Sequence, residues 1–373
     1  MAKKHQGSEP WRVGVLWSQT GVTAVIEESQ LKGTLLAIEE VNEAGGINGR
    51  ELVPVIYDPA SEPVNFARLA DRLLTEDDVT TIFGCYTSSS RKAVLPVVER
   101  RNGLLWYPTL YEGFEYSPNV IYTGAAPNQN SLKLAEYMME IYGPRFFFVG
   151  SDYIYPRESN RIMRELLDAR GGTVVAERYL DLLASPNDFK PVMRDIKQMR
   201  PDVIFSTVVG QATAHLYQCY ADAGLDPKVT PIASLTTTEA EVGLMGADVG
   251  EGHITAAPYF EGVETEANNV FVLRFKKRFG DSELTNMCVE AAYFQIHVFA
   301  KALAETNTMD TDILRPMVLG SEFNAPQGHI CIDDSNSHTD LWTRIGKVNR
   351  LGHFDIDWES RMAVKPDPYL ISL

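Results

Sequence analysis

Cysteine is scarce. Four residues in 373, Cys85, Cys219, Cys288 and Cys331, are widely scattered, with no pair at the short spacing of a metal site. In a chain of this length they read as buried free thiols of a reducing compartment, which points to the cytoplasm; an exported protein with one disulfide is the alternative. Positive charge is also short. Lys and Arg number 34 against 50 Asp and Glu, and a net charge of -16 argues against direct contact with nucleic acid. No apolar run reaches the roughly 18 residues of a membrane helix, so membrane insertion is not expected. Residues 1–10 carry positive charge without an apolar stretch behind them, so no signal peptide is visible and a cytoplasmic protein is expected. Walker-type phosphate loops, H-E-x-x-H helices and nucleophile elbows are absent. The histidines, His5, His215, His253, His297, His329, His338 and His353, show no ligand spacing. Cys85 has no neighbouring histidine or carboxylate in sequence to activate it, so it reads as a buried thiol rather than a nucleophile. The expectation is a protein with no metal, no cofactor and no catalysis.

What is present is a soluble globular composition, 45% hydrophobic and 23% charged, in a chain long enough for two domains. Apolar runs at 12–17, 52–57, 79–83, 104–109, 120–124, 145–150, 173–179, 202–209, 231–238 and 254–259 predict strands. Helical patterns lie between most of them, including one from about 157 and one over 189–199, and two long ones follow at 266–279 and 284–305. Near the end, 328–332 and 341–348 read as strands joined by a polar turn. This alternation predicts an α/β protein with parallel sheets. The pairs Ala126-Pro127, Ala257-Pro258 and Ala325-Pro326 each fall where the pattern changes. Proline fixes φ and biases its predecessor toward extended structure, which suits crossover segments between two lobes.

The chain is organised around one stretch, Gly84-Cys-Tyr-Thr-Ser-Ser-Ser-Arg-Lys-Ala-Val-Leu-Pro96, in which a buried strand gives way to four hydroxyl residues and then a helix. For a single Ser or Thr at such a junction, capping the helix is the commoner role. Repetition shifts the balance toward a site. Hydroxyls and phenols follow strands at Ser18 and Thr20, Thr87 to Ser90, Tyr107 and Thr109, Tyr153 and Tyr155, Thr207, and Thr236 to Thr238. In doubly wound sheets ligands bind at the carboxyl ends of strands. Together these residues describe a small pocket of neutral hydrogen-bonding groups with few ions, suited to a small neutral polar ligand.

The segments 84–99, Tyr111-Glu-Gly-Phe-Glu-Tyr-Ser-Pro-Asn119, Ala126-Pro-Asn-Gln-Asn130, 150–160, Phe205-Ser-Thr-Val-Val-Gly210, Ile232-Ala-Ser-Leu-Thr-Thr237 and Asp367-Pro-Tyr369 resemble the AmiC-type amide-sensing regulators of aliphatic amidase operons. The resemblance covers nearly the whole chain. The wider group has the type I periplasmic-binding-protein fold and includes urea and short-chain amide binding components of ABC transporters. The resemblance implies two Rossmann-like lobes joined by three crossovers, residues 10–124 with 257–325 and residues 125–256 with 326–373. It implies an acetamide-like amide or urea as ligand, and an RNA-binding antiterminator protein as partner of a cytoplasmic sensor. The alternative is the substrate-binding component of a urea or amide transporter, exported and working with an ABC permease; homo-oligomer formation stays open in either case. Carried over by motif, the ligand-binding residues are Tyr86, Ser88, Tyr107, Thr109, Tyr153 and Tyr155, with Thr87, Leu110, Thr207 and Thr236 as further candidates. Leu110 stands where the regulator pattern has proline, near the wall expected to meet the ligand's alkyl end. Thr87 stands where that pattern has methionine, and with Ser89 it resembles the urea-transport branch.

Overall fold

The computed structural model describes residues 9–371; the N-terminal residues 1–8, part of the segment read above for a leader, and the last two residues lie outside it. Five strands, β1 (Trp11–Leu16), β2 (Leu52–Tyr57), β3 (Thr81–Gly84), β4 (Leu104–Tyr107) and β5 (Val120–Tyr122), form a sheet in the order β2-β1-β3-β4-β5, every pair parallel. Helices α1 (Ala24–Glu43), α2 (Pro63–Thr75) and α3 (Ser88–Arg101) connect the first four. Parallel strands covered on both faces are continuous apolar runs, and β3 and β4 are buried throughout.

The chain then builds a second layer from α4 (Ser131–Ile141), β6 (Arg145–Ser151), α5 (Ile154–Asp168), β7 (Thr173–Leu180), α6 (Pro186–Met199) and β8 (Val203–Thr207). It continues through α7 (Gln211–Asp222), β9 (Ile232–Ser234), α8 (Glu239–Met245), α9 (Ala247–Gly250) and β10 (Ile254–Ala257). Helices α10 (Glu266–Phe279), α11 (Met287–Thr306) and α12 (Thr311–Val318) return to the first layer, where α11 packs along α1. Helix α11 is apolar almost all round and is correspondingly buried. It starts three residues later than its apolar pattern suggests, because the Asn286 side chain accepts from the N–H groups of Cys288 and Val289 and ends the approach segment. Its Phe299 meets Phe83 and Trp106 edge-on, with ring centroids 5.3 and 6.2 Å away. Phe299→Ala would remove that contact at about 3–5 kcal/mol.

Three expectations change here. The second sheet, in the order β15-β14-β10-β9-β8-β6-β7, is mixed: β14 (Arg344–Val348) runs antiparallel to β10 and to β15 (Phe354–Glu359). The connection between β14 and β15 is too short for a crossover, so the pair must be antiparallel. The two terminal strands expected as partners lie in different sheets. β11 (Glu322–Ala325), β12 (Gly328–Ile332) and β13 (Thr339–Asp340) make a separate small sheet. Residues 337–339 also meet the first sheet: Tyr122 N donates to Ser337 O and Thr339 Oγ1 donates to Tyr122 O, both at 2.9 Å. Finally, α5 begins at Ile154 rather than near 157. Pro156 falls in the first turn, where its missing N–H is no loss, so Tyr155 belongs to the helix.

Three segments connect the two layers: one after β5, one after β10 and one before β14. Pro127 opens a single 3-10 turn in the first, while Ala257 and Ala325 end β10 and β11. The segments are hydrogen-bonded to one another. Gln129 Nε2 donates to Thr339 O and Val364 O at 2.8 Å, and Thr343 Oγ1 donates to Gln129 O at 2.7 Å. The Arg344 guanidinium donates to Pro258 O and Gln327 O.

Buried carboxyls make the fold sensitive to pH. Burial pushes Glu239 and Glu290 up to about 8 from an ordinary 4.5. Burial also holds His253 and His338 below 6.5, at about 3 and about 4. Above pH 7 these histidines are neutral both folded and unfolded, and their contribution is constant. Each raised carboxyl instead keeps its proton in the folded chain and loses it in the unfolded chain, so stability falls as pH rises toward 8. The slope is up to about 1.4 kcal/mol per pH unit for each group. Denaturant unfolding at pH 7 and 8 should show this decline, and Glu239→Gln should make it shallower. An equal slope in the variant would remove Glu239 as a source.

Candidate functional site

Loops from both layers converge at the carboxyl ends of the parallel strands. Tyr86 and Ser88 follow β3, Thr109 and Leu110 follow β4, Tyr153 and Tyr155 follow β6, Val209 follows β8 and Thr236 follows β9; together they line one cavity. The backbone is packed too closely at two glycines for any side chain. A Cβ on Gly84 would sit 2.5 Å from Leu16 O, and one on Gly124 would sit 2.1 Å from the Thr109 carbonyl. Gly124 therefore lets the 108–110 loop settle over the sheet. All the lining residues except Tyr153 are buried. The space open to the centre of a water-sized sphere is about 10 Å³, near the least that holds one water. A larger surface groove runs along residues 261–265 and 353–359 and contains none of the expected site residues.

The Ser and Thr hydroxyl protons of this cavity are committed behind its wall. Ser88 Oγ donates to Glu112 Oε2 at 2.5 Å and accepts from Arg91 Nη1 at 3.1 Å. Thr109 Oγ1 donates to Cys85 O at 3.4 Å and accepts from Gln30 Nε2 at 3.2 Å. Thr236 Oγ1 donates to Val208 O at 3.0 Å. Each of these oxygens retains acceptor capacity, because a hydroxyl has two lone pairs for its one proton. Tyr155 differs: its buried OH makes no hydrogen bond of ordinary geometry, although the Ser159 side chain is close enough to act on it. Burial also raises its pKa far above 10, so the phenol stays protonated as a donor. Three hydroxyl acceptors thus share the cavity with the phenols of Tyr86, Tyr153 and Tyr155.

Three expected residues lie off the cavity. Tyr107 is fully buried behind it, its OH donating to Tyr86 O at 2.9 Å. Thr87 is the helix cap of α3, accepting from Ser90 N at 3.1 Å. Thr207 Oγ1 donates to Asn160 Oδ1 at 2.9 Å. The expectation of a site with no committed charge is also corrected. Directly behind Ser88, the Arg91 guanidinium pairs with Glu115 at 2.7 Å and Glu112 at 3.1 Å, and Lys92 lies 2.9 Å from Glu115. Burial opposes the charge on Glu115, yet Arg91 and Lys92 hold its carboxyl below the usual range. Glu112, Gln30 and Val209 were not singled out from the sequence. Arg91 was open to notice, since i+3 from Ser88 places it on the same face of α3. Cys85 is a buried thiol whose pKa burial pushes up, as expected of a non-nucleophile. Among the described residues, no cluster of three or more histidine, cysteine or acidic side chains could hold a metal.

Two α/β lobes thus enclose one small cavity between them. A family model described as periplasmic binding protein domain matches residues 11–373, and the chain belongs to that family. The leucine-, isoleucine-, valine-, threonine-, and alanine-binding protein of Pseudomonas aeruginosa is 24% identical over 321 residues, 84% of this chain and 83% of that protein. Leu/Ile/Val-binding protein homolog 6 of Brucella melitensis is 24% identical over 79% of this chain and 77% of its own length. Among solved structures, an ABC-transporter solute binding protein of Rhodopseudomonas palustris in complex with p-hydroxybenzoic acid superposes with a TM-score of 0.86 at 21% identity, over 98% of this chain and 100% of that one. The branched-chain amino acid binding protein LivJ of Streptococcus pneumoniae, with isoleucine, gives 0.83 at 18% identity over 96% and 100%. The type I periplasmic-binding-protein fold expected from the sequence is the fold of this chain.

Tyr155→Phe removes a buried hydroxyl that makes no hydrogen bond of ordinary geometry, relieving a desolvation penalty of about 1–3 kcal/mol. Without ligand the variant should melt no lower than the parent, and a fall of several degrees would show that the hydroxyl is paired in the empty protein.

Proposed function

We propose that the protein is a non-enzymatic binding protein for a small neutral amide, acetamide-like, or for urea. The observation that carries this is the polarity of the cavity. A carboxamide brings N–H donors and one carbonyl acceptor, the complement of the Ser88, Thr109 and Thr236 oxygens and the Tyr155 hydroxyl. Free amino acids bring an ammonium and a carboxylate, and the cavity lining carries no Lys, Arg, His, Asp or Glu to pair with either. The tightness of the closed cavity favours a guest of a few heavy atoms over one the size of leucine. Tyr86, Ser88, Thr109, Leu110, Tyr153, Tyr155 and Thr236 form the proposed ligand shell, with Tyr107 supporting it from behind.

The names of the relatives support a transport role, in which the protein delivers its ligand to an ABC permease outside the cytoplasm. The cytoplasmic location expected from the free thiols finds no support among them. A second reading, a cytoplasmic sensor releasing an RNA-binding antiterminator, is favoured by the long motifs at 84–99, 111–119 and 150–160. In either role Ser88 and Thr109 approach from the first layer and Tyr155 and Thr236 from the second, so only the closed form engages a ligand with all four. That difference in affinity is what allows a ligand to shift a hinge equilibrium.

Acetamide, propionamide or urea at about a hundred times its dissociation constant should stabilise the protein by roughly 2.7 kcal/mol in a thermal shift, and acetate and leucine should not. Equal stabilisation by acetate or leucine would sink the amide reading. Tyr155→Phe should weaken the amide by about 1–3 kcal/mol while leaving the empty protein intact, the two effects having different signs. Small-angle scattering should show compaction on adding amide. A pull-down across an amide titration then separates the roles, since only the sensor should shed an RNA-binding partner as ligand rises.

A further inference from the structure

We propose that Glu112 is a specificity-determining positioning residue: by taking the Ser88 proton it obliges any ligand atom at Ser88 to be a hydrogen-bond donor, and so sets amide above acid. The assignment rests on the amide reading and deepens it. Glu112 does not line the cavity, but its carboxylate stands one hydrogen bond behind it, buried with Ser88. The Arg91 guanidinium, with no exposure, donates to Glu112 Oε1 at 3.1 Å, and Lys92 Nζ lies 3.9 Å from the same oxygen. The carboxylate is paired with both cations, and a carboxylate so paired offers only acceptors. The 2.5 Å contact between Ser88 Oγ and Glu112 Oε2 must therefore use the serine proton. Arg91 Nη1, at 3.1 Å, occupies one serine lone pair. One lone pair is left for the cavity.

An amide N–H completes that arrangement. A carboxylate oxygen in the same place would meet a lone pair and receive no hydrogen bond from the serine. The loop that carries Glu112 is firmly held. Tyr111 N donates to Ala125 O at 3.2 Å, Phe114 N donates to Pro368 O at 2.8 Å, and Arg91 Nε donates to Glu115 Oε1 at 2.7 Å. The carboxylate thus has little freedom to turn away and release the serine.

The test is calorimetric affinity for acetamide, with acetate measured by displacement at high concentration, in the parent protein, Glu112→Gln and Ser88→Ala. A glutamine can donate to Ser88 Oγ and free the serine proton for the ligand. Glu112→Gln should therefore weaken acetamide and move the acetamide-to-acetate preference toward acetate by roughly tenfold or more, the scale of one mismatched buried hydrogen bond. A merely structural Glu112 would weaken both ligands alike. A folded Glu112→Gln with the parental preference overturns the assignment. Should that variant fail to fold, Ser88→Ala decides the matter: loss of an acceptor lowers acetamide selectively and narrows the preference, whereas an equal loss for both ligands overturns the proposal. A parent protein that binds neither acetamide nor urea overturns the amide reading itself, and with it this role for Glu112.

Discussion

A guanidinium with no exposure to water is the constraint around which the binding end of the first layer is built. Arg91 must be paired on every side, and it is. Glu115, Glu112 and Ser88 take its N–H groups, and the rings of Tyr107 and Tyr111 lie 4.7 and 4.6 Å from its centre. Removing one partner of such a buried pair leaves an uncompensated charge, typically worth about 3–5 kcal/mol. The loop after β4 is thereby fixed by the same ion that orients the cavity serine. Tyr111 passes the constraint on, meeting His338 Nε2 at 2.5 Å, while the His338 ring stacks 4.2 Å from that of Tyr122. Residues from three distant parts of the chain are thus gathered behind one ligand-facing hydroxyl.

Much of the architecture was legible in the sequence because its signals are local. Buried parallel strands are continuous apolar runs followed by polar turns, so β1 to β10 could be placed to within a few residues. The hydroxyls after those strands lie at the carboxyl ends of the sheets, and seven of the ten candidate positions line one cavity there. The misses were non-local. Nothing in the periodicity of 341–348 says which sheet it joins, since that is decided by its pairing with β10, far earlier in sequence. Glu112 sits in an irregular loop with no periodicity at all, and its partner Ser88 is 24 residues distant. Thr87, Tyr107 and Thr207 show the opposite error: the residue type was right for a site, but a nearby backbone or amide group had already claimed the side chain.

The relatives and this chain share a scaffold. Proteins of this fold have been captured with isoleucine and with hydroxybenzoic acids. Those guests carry formal charge, whereas the lining here offers phenols, hydroxyls, Leu110 and Val209. Discrimination in a neutral cavity must come from which atoms carry protons, because no counter-charge does the sorting. The buried charges near the cavity stand behind its lining, where Arg91 and Glu112 hydrogen-bond the Ser88 hydroxyl.

The near-complete enclosure of the cavity has a kinetic side. With almost all its lining buried, the cavity cannot fill while the lobes stay together, so each binding event waits for an opening. At low ligand the observed rate rises with concentration, as for any collision. At high ligand it would level off at the frequency of lobe separation, a property of the protein rather than of the guest. Guests of different affinity would then share one ceiling on entry and be told apart by how long they stay.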